Sequence, residues 1–343
     1  MTVSGRAFGW VNVLSVAILL VCVAAAIQPP LRERSFSFEY TATVKDVPDG
    51  AQELDLWLPV PHGDPYQRVI DLKIESPLKY TIAEDDHGNR ILHIVSTEPK
   101  PQPVTVVMRG EVVRTEHRQA RLLSGGRDGA DLPANELSRY LKPDRLVPID
   151  GQIRAWAQEV VDQAHARTDL EKARAIYNHV VSTVKYDKSG KGWGRGDIYY
   201  ACENRRGNCT DFHAIFIGYC RALGIPARFS IGFPLPAKRG SGAVAGYHCW
   251  AEFYAKGIGW VPVDASEAAK DPSKREYFFG THDENRVEFT KGRDLVLKPQ
   301  QQASPLNYFV YPYAELDGRA FDGVDHTFAF QDNAEDAHGA ASK

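Results

Sequence analysis

The stretch "NRRGNCTDFHAIFIGYC", residues 204–220, places a cysteine at the start of an apolar run. After Cys209, apolar residues recur at helical spacing, at Phe212, Ile215, Phe216, Tyr219 and Leu223. Gly224 and Pro226 follow, which is typical of the end of a helix. The pattern predicts a helix whose first turn holds Cys209. The thiol is then either a nucleophile or a small core residue, since buried structural cysteines are common.

A helix N-terminus favours an anion, because its first N–H groups are unpaired and its dipole is positive there. The pKa of Cys209 should therefore be lowered. A thiolate nucleophile also needs a base that carries the proton. His248 and Asp264 lie on two predicted strands joined by "KGIG", residues 256–259, which indicates a hairpin. Since the turn centres near residue 257, Asp264 should lie within a residue or two of the position opposite His248.

An aspartate beside a histidine fixes the orientation of the imidazole ring and stabilises its charged form. The sequence therefore predicts a catalytic triad with Cys209 as nucleophile, His248 as base and Asp264 as orienting acid. Trp250 shares a strand face with His248 by parity, and we expect it to shield the site.

Two segments resemble the transglutaminase-like superfamily: "GNCTDFHAIFIGYCRALGIPARF", residues 207–229, and "GYHCWAEFYAKGIGWVPVDAS", residues 246–266. The resemblance covers about residues 140–270. It implies a papain-like fold in which the cysteine helix packs on an antiparallel sheet, and it assigns the same roles to the three triad residues. The family often takes a second oxyanion donor from an upstream aromatic residue. Tyr186 is the residue that this resemblance points to, beside the backbone N–H of Cys209.

The flanking segments complete an α+β fold prediction. Residues 34–115 alternate apolar and polar side chains with period two, which predicts an antiparallel β-sandwich. Residues 116–135 indicate a glycine-rich linker, and residues 136–270 form the predicted catalytic domain. We expect residues 271–329 to add β segments packed on the core, and residues 330–343 to be a disordered tail.

The N-terminus, residues 1–28, is unlike the rest. Residues 7–28 carry no charge, Arg6 precedes them, and small residues end the run. This is typical of a secretory signal peptide, but the run is also long enough for an uncleaved membrane anchor. Either interpretation places the remainder outside the cytoplasm, in the periplasm or secreted. A lipoprotein site at Cys22 does not fit, because Val21 is too large for the position before it.

The five cysteines are Cys22, Cys202, Cys209, Cys220 and Cys249. If Cys22 leaves with a signal peptide and Cys209 stays free, at most one disulfide is possible among the other three, and the sequence does not select it. The Cys and His spacings match no zinc motif, no calcium loop is present, and the glycine-rich segment 187–197 lacks P-loop spacing. We expect no metal and no cofactor.

The 343 residues suffice for two domains, and a net charge of −3 without a basic run gives no indication of nucleic-acid binding. The functional prediction is cysteine-dependent acyl transfer at peptide or side-chain amides through a thioester. Hydrolysis and crosslinking both remain open, and peptides or envelope proteins are the expected substrates by analogy. The alternative is an inactive envelope scaffold or binding module with this fold. A third possibility is an enzyme held inactive until a partner or the loop 187–197 moves. The sequence does not indicate the oligomeric state.

Overall fold

The structure, a computed structural model, describes Met1 and residues 29–333. The chain divides into the units Met1–Pro30 and Leu31–Lys343, and every element below belongs to the second unit. The predicted signal or anchor and residues 334–343 lie outside the described residues. Within the described part, none of the helices is long and apolar enough to span a membrane.

The strands, in chain order, are β1 (Glu33–Val44), β2 (Glu53–Val60), β3 (Gln67–Glu75), β4 (Thr81–Glu84), β5 (Arg90–Thr97), β6 (Val104–Thr115), β7 (His117–Arg118), β8 (Lys185–Tyr186), β9 (Arg206–Gly207), β10 (Ala227–Pro234), β11 (Ser241–Ala243), β12 (His248–Ala255), β13 (Gly259–Val263), β14 (Thr281–His282), β15 (Arg286–Lys291), β16 (Tyr313–Leu316), β17 (Arg319–Ala320) and β18 (Val324–Asp332). The α-helices are α1 (Ala120–Ser124), α2 (Ala134–Ser138), α3 (Gly151–Gln163), α4 (Asp169–Thr183), α5 (Ile198–Asn204), α6 (Cys209–Ala222) and α7 (Ala265–Lys270).

Two five-stranded antiparallel sheets form the predicted sandwich. Their strand orders are β11-β18-β1-β6-β3 and β17-β16-β2-β5-β4. The alternation in β1 separates a buried face from a partly exposed one, as expected for a strand with one face on the core. The buried residues are Phe36, Phe38, Tyr40, Ala42 and Val44, and the residues between them are partly exposed. The α+β class and the sandwich were thus predicted correctly.

The C-terminal boundaries differ from the prediction. Strand β18 continues to Asp332 and pairs with β1, so residues 330–332 are not part of a disordered tail. Asp332 is fixed there because both of its carboxylate oxygens accept hydrogen bonds from the buried guanidinium of Arg34. Of the predicted C-terminal β segments, β15 joins the core sheet, whereas β16, β17 and β18 complete the sandwich.

The predicted linker 116–135 is partly ordered. It contains β7, which pairs with β14, and the short helix α1. His117 is buried there and stacks on Tyr66 with ring centroids 3.7 Å apart. A glycine-rich composition predicted a linker, but the ring contact with Tyr66 and the pairing with β14 fix the first part of the segment in place.

The core of the predicted catalytic domain is a four-stranded antiparallel sheet in the order β13-β12-β10-β15, with α6 packed against it. Every residue of α6 is buried, because the sheet covers one side and helices α3, α4 and α5 cover others. Phe216 of α6 meets Phe253 of β12 edge-on at 6.1 Å. The predicted helix after Cys209 is confirmed. Thr168 and Glu171 form a capping box at the start of α4.

Candidate active site

Helix α6 begins at Cys209, and its first turn is strongly capped. The side chain of Asn208 accepts a hydrogen bond from the N–H of Thr210 at 3.0 Å, and the carboxylate of Asp211 accepts one from the N–H of Asn208 at 2.9 Å. This capping box fixes the conformation of the first turn and thereby the orientation of the Cys209 side chain. Among the hydrogen bonds of the described residues, none engages the N–H of Cys209, so this donor is available to a ligand.

The hairpin β12–β13 brings His248 and Asp264 together. Ala251 pairs with Val263, so Asp264 lies just beyond the paired residues of β13 and close to the start of β12. His248 Nε2 lies 2.7 Å from Asp264 Oδ2. Both side chains are buried. This geometry leaves Nδ1 as the ring nitrogen that faces the thiol.

Asp264 is held in place from several directions. Its Oδ1 accepts hydrogen bonds from Ser266 Oγ and from the N–H of Glu267, both at 3.1 Å, so it also caps α7. Its Oδ2 accepts a further bond from Arg286 Nη1 at 3.1 Å. Burial disfavours the charge of Asp264, but His248 and Arg286 outweigh it and hold the pKa of this carboxyl well below its usual range. Asp264 is therefore a permanent anion beside the imidazole.

Cys209 and His248 stabilise each other as an ion pair. Burial opposes ionisation of Cys209, but hydrogen bonds with Cys249 and His248 and the charge of His248 lower the pKa of this thiol well below its ordinary value. Burial likewise opposes the charge of His248, but Asp264 and Cys209 raise the pKa of the imidazole to about 10. These shifts favour a thiolate facing an imidazolium, which is the charge state of an activated cysteine.

Cys249 lies beside the nucleophile candidate. Its thiol is fully buried, lies 3.7 Å from His213 Nδ1, and is close enough to Cys209 to form a hydrogen bond with its sulfur. Burial and the nearby charge of Cys209 raise the pKa of Cys249 well above the ordinary value, so Cys249 stays protonated and donates this bond.

A Cys249→Ala variant should therefore have a higher pKa at Cys209, by about one to two pH units, because a hydrogen bond to the thiolate is lost. The rate of Cys209 alkylation against pH measures this shift. Cys220→Ala is the matched control, since Cys220 is equally buried and burial raises its pKa. An unchanged pKa in Cys249→Ala would contradict this role of the Cys249 thiol.

His213, one turn after Cys209, is fully buried and forms hydrogen bonds with two backbone groups near the site. Its Nδ1–H donates to the carbonyl of Cys209 at 2.9 Å, and its Nε2 accepts from the N–H of Ala265 at 3.2 Å. Burial lowers the pKa of His213, so it stays neutral and both bonds persist. It thereby ties the cysteine turn to the residue that follows Asp264.

The two supporting residues predicted from the sequence both lie near the site. Tyr186 ends β8, and burial together with the charge of Cys209 raises the pKa of its phenol to about 12, so it keeps its proton. Trp250 is buried, with its ring 5.8 Å from that of His248 and the guanidinium of Arg286 at 4.8 Å over its face. Trp250 thus lies buried between His248 and Arg286, which is consistent with the predicted shielding role.

Three tyrosines that the sequence did not single out lie near Cys209, together with the glycine-rich loop 187–197. Tyr247 Oη accepts from Asn208 Nδ2 at 2.8 Å and donates to the carbonyl of Gly194 at 3.3 Å. Tyr308 Oη donates to the same carbonyl at 3.2 Å. The ring of Tyr311 lies 5.8 Å from that of Tyr247. The only available signal for Tyr247 was its position before His248.

All four described cysteines, Cys202, Cys209, Cys220 and Cys249, are free thiols, and Cys22 lies outside the described residues. Cys202 lies 3.4 Å from Tyr219 Oη instead of another sulfur. In the part of the chain described, no group of three or more His, Cys, Asp or Glu side chains is arranged to hold a metal ion.

Residues 154–265 match the family model of the transglutaminase-like superfamily core. These residues therefore form a transglutaminase-like domain, and the predicted resemblance is confirmed. A Haemophilus influenzae protein without an assigned function is 28% identical over 360 residues, covering 92% of this chain and 96% of its own length. A crystal structure from Cytophaga hutchinsonii, described as a candidate cysteine protease, superposes with a TM-score of 0.54 at 16% identity, covering 88% of this chain and 100% of its own.

The periplasmic domain of TgpA from Pseudomonas aeruginosa also matches, at 16% identity over 74% of this chain and 88% of its own length, with a TM-score of 0.36. At these identities, the likeness to the Cytophaga hutchinsonii structure shows the fold alone.

Proposed function

We propose that this protein is a cysteine-dependent enzyme that transfers acyl groups from peptide or side-chain amides. The observation that carries the proposal is the hydrogen-bonded series of Cys209, His248 and Asp264 at the start of a buried helix. A free thiol whose pKa is lowered by a charged imidazole has no structural use in a core, whereas it is the state required for nucleophilic attack.

In the proposed reaction, the thiolate of Cys209 attacks the amide carbonyl and forms a tetrahedral oxyanion. His248 then gives its proton to the leaving amine, and the C–N bond breaks to leave a thioester on Cys209. His248, now neutral, accepts a proton from water or from an acceptor amine, which attacks the thioester and releases the thiol. Asp264 keeps the ring oriented and stabilises the imidazolium in both half-reactions.

Two donors are placed to stabilise the oxyanion. The N–H of Cys209 is free of other partners among the described residues, and the phenol of Tyr186 remains protonated because of its raised pKa. Donors fixed before the reaction stabilise the developing charge without reorganising. Water and amine acceptors share the same thioester, so hydrolysis and crosslinking both follow from this site.

The proposed setting is outside the cytoplasm, supported by the uncharged segment 7–28 after Arg6. That segment would direct export or anchor the protein to the inner membrane. The proposed substrates are peptides or proteins of that compartment, with no role for nucleic acid.

The second candidate is a non-catalytic scaffold or binding module. The observation in its favour is that Cys209 is only 1% exposed, so the thiol is closed off from bulk solvent in this conformation. An enzyme would have to open the site for its substrate, whereas a scaffold would keep it closed.

Acylation by an activated ester separates the two candidates. We expect p-nitrophenyl acetate to release a burst of nitrophenolate close to one equivalent, with an acetyl thioester found by mass mapping on the peptide containing Cys209. Cys209→Ala should abolish the burst, and His248→Ala should slow it by about 10²–10⁴-fold, since the base is lost. Cys220→Ala is the matched thiol control and should behave as wild type. No acylation of the wild type would favour the scaffold, and a burst that persists in Cys209→Ala would show that Cys209 is not the nucleophile.

A further inference from the structure

Two ammonium groups lie against the ring of Tyr186, beside the candidate active site. Lys270 Nζ lies 3.9 Å from the centroid of the Tyr186 ring, and Lys188 Nζ lies 5.8 Å from it. Lys188 also lies 5.9 Å from the ring of Trp193. Tyr186 itself is only half-buried, and its phenol is close enough to Cys209 to respond to the thiolate charge. Both lysines therefore lie against the ring of Tyr186, the half-buried residue beside the buried thiol.

The charges at this position do not cancel. Lys270 Nζ lies 2.6 Å from the carboxylate of Glu267 and compensates its charge. The same carboxylate also lies 3.9 Å from His248 Nε2. Asp187 faces Arg206 at 3.8 Å. Lys188 is exposed and forms no salt bridge within residues 29–333, where its ammonium group lies near the rings of Tyr186 and Trp193. One uncompensated cation thus remains beside the phenol, in addition to the imidazolium of His248.

We propose that the acyl donor carries a carboxylate close to its scissile amide, bound by the ammonium group of Lys188, with Lys270, which is already paired with Glu267, as the weaker second partner at the same tyrosine ring. The substrate class is then an acidic peptide. The aromatic faces of Tyr186 and Trp193 would hold the lysine side chains in place and leave their ammonium groups directed at the ligand. This inference rests on the proposed function, because it names the substrate of the same site.

A pair of alkylating probes tests the proposal without a known substrate. Iodoacetate and iodoacetamide react with the same thiolate, form the same kind of S–C bond and release iodide, but only iodoacetate carries a carboxylate. The ratio of their rates at Cys209 cancels any change in the thiolate fraction. We expect Lys188→Gln and Lys270→Gln each to lower this ratio by about two- to fivefold, as one cation is removed from the approach of an anion. Added salt should reduce the wild-type ratio in the same direction.

Lys256→Gln is the matched control. Lys256 is 85% exposed and lies in the turn that follows β12. His248 is the first residue of that strand, so the two residues are roughly 25 Å apart along it. The same loss of charge there should leave the ratio unchanged. An unchanged ratio in Lys188→Gln, or an equal fall in Lys256→Gln, would overturn the proposal. If Cys209 of the wild type reacts with iodoacetamide only as an ordinary thiol, the proposed function itself fails, and the inference with it.

Protection of Cys209 from iodoacetamide then identifies the source of the carboxylate. One short peptide has an internal glutamate and an amidated C-terminus, and another has neutral side chains and a free C-terminus. Protection by either one beyond that of a fully neutral peptide, lost in Lys188→Gln, is the expected result. Equal protection by all three would overturn the proposal.

Discussion

Asp264→Asn should slow the alkylation of Cys209 near pH 6 by about 10- to 100-fold. The carboxylate of Asp264 lies 2.7 Å from His248 and is the main reason why the pKa of the imidazole rises to about 10 despite burial. Without that charge the pKa of His248 falls, the imidazolium is lost, and the pKa of Cys209 rises because its counter-ion is gone. A smaller fraction of the thiol is then ionised at pH 6.

Asparagine also caps helices well, so the substitution removes the charge while retaining the cap of α7. Asp283→Asn is the matched control, because Asp283 pairs with the same guanidinium of Arg286 at 3.0 Å but does not contact His248. We expect near-normal alkylation in that variant. If Asp264→Asn reacts as fast as wild type, Asp264 has only the structural role of a cap.

Asp211→Ala should lower the free energy of unfolding by about 3–5 kcal/mol. Asp211 is fully buried, and its carboxylate accepts hydrogen bonds from the N–H groups of Gly194, Gly196 and Asn208 at 2.7, 3.1 and 2.9 Å. Alanine leaves these three donors without an acceptor in a buried position. Denaturant unfolding measures the loss, as a shift of the midpoint at constant slope.

Asp211→Asn tests whether the acceptor geometry is the cause. It keeps one carbonyl oxygen and should destabilise the protein less than alanine does. Because the same carboxylate connects the loop 187–197 to the cysteine turn, Asp211→Ala should also make Cys209 more accessible to alkylation. Equal stability of Asp211→Ala and wild type would show that the loop is held by other contacts.

The juxtaposition of Cys209, His248 and Asp264 was predictable because each constraint on it is local. Apolar spacing set the start of α6, and the short turn at residues 256–259 set the register of the β12–β13 hairpin. In the structure Ala251 pairs with Val263, and extending that register puts residue 266 opposite His248. This agrees with the register predicted from the position of the turn. A two-residue error in that register would have moved Asp264 out of reach.

The remaining contacts depend on distant parts of the chain. Tyr308 reaches the site only because the segment after β15 returns to the carbonyl of Gly194, and no local pattern encodes that return. In β3, a bulge between Ile70 and Lys73 leaves Ile70 37% exposed, although regular alternation placed it with Leu72 and Ile74.

The central claim is that Cys209 is a thiolate paired with the imidazolium of His248. The most direct measurement is the rate of iodoacetamide alkylation of each cysteine of residues 30–343 between pH 4 and pH 10, resolved by mass mapping, in wild type and in His248→Ala. An ordinary thiol loses about tenfold in rate per pH unit below its pKa, because only the thiolate reacts.

We predict that Cys209 keeps nearly its full rate well below the usual pKa of a thiol, since the imidazolium persists up to about pH 10. The rate should fall only once the pH drops below the lowered pKa of the thiol itself. In His248→Ala the profile should move up to that of an ordinary thiol or beyond it, because burial then acts unopposed by the imidazolium. A wild-type Cys209 that is inert, disulfide-bonded or titrates like an ordinary thiol would contradict the claim and favour the scaffold.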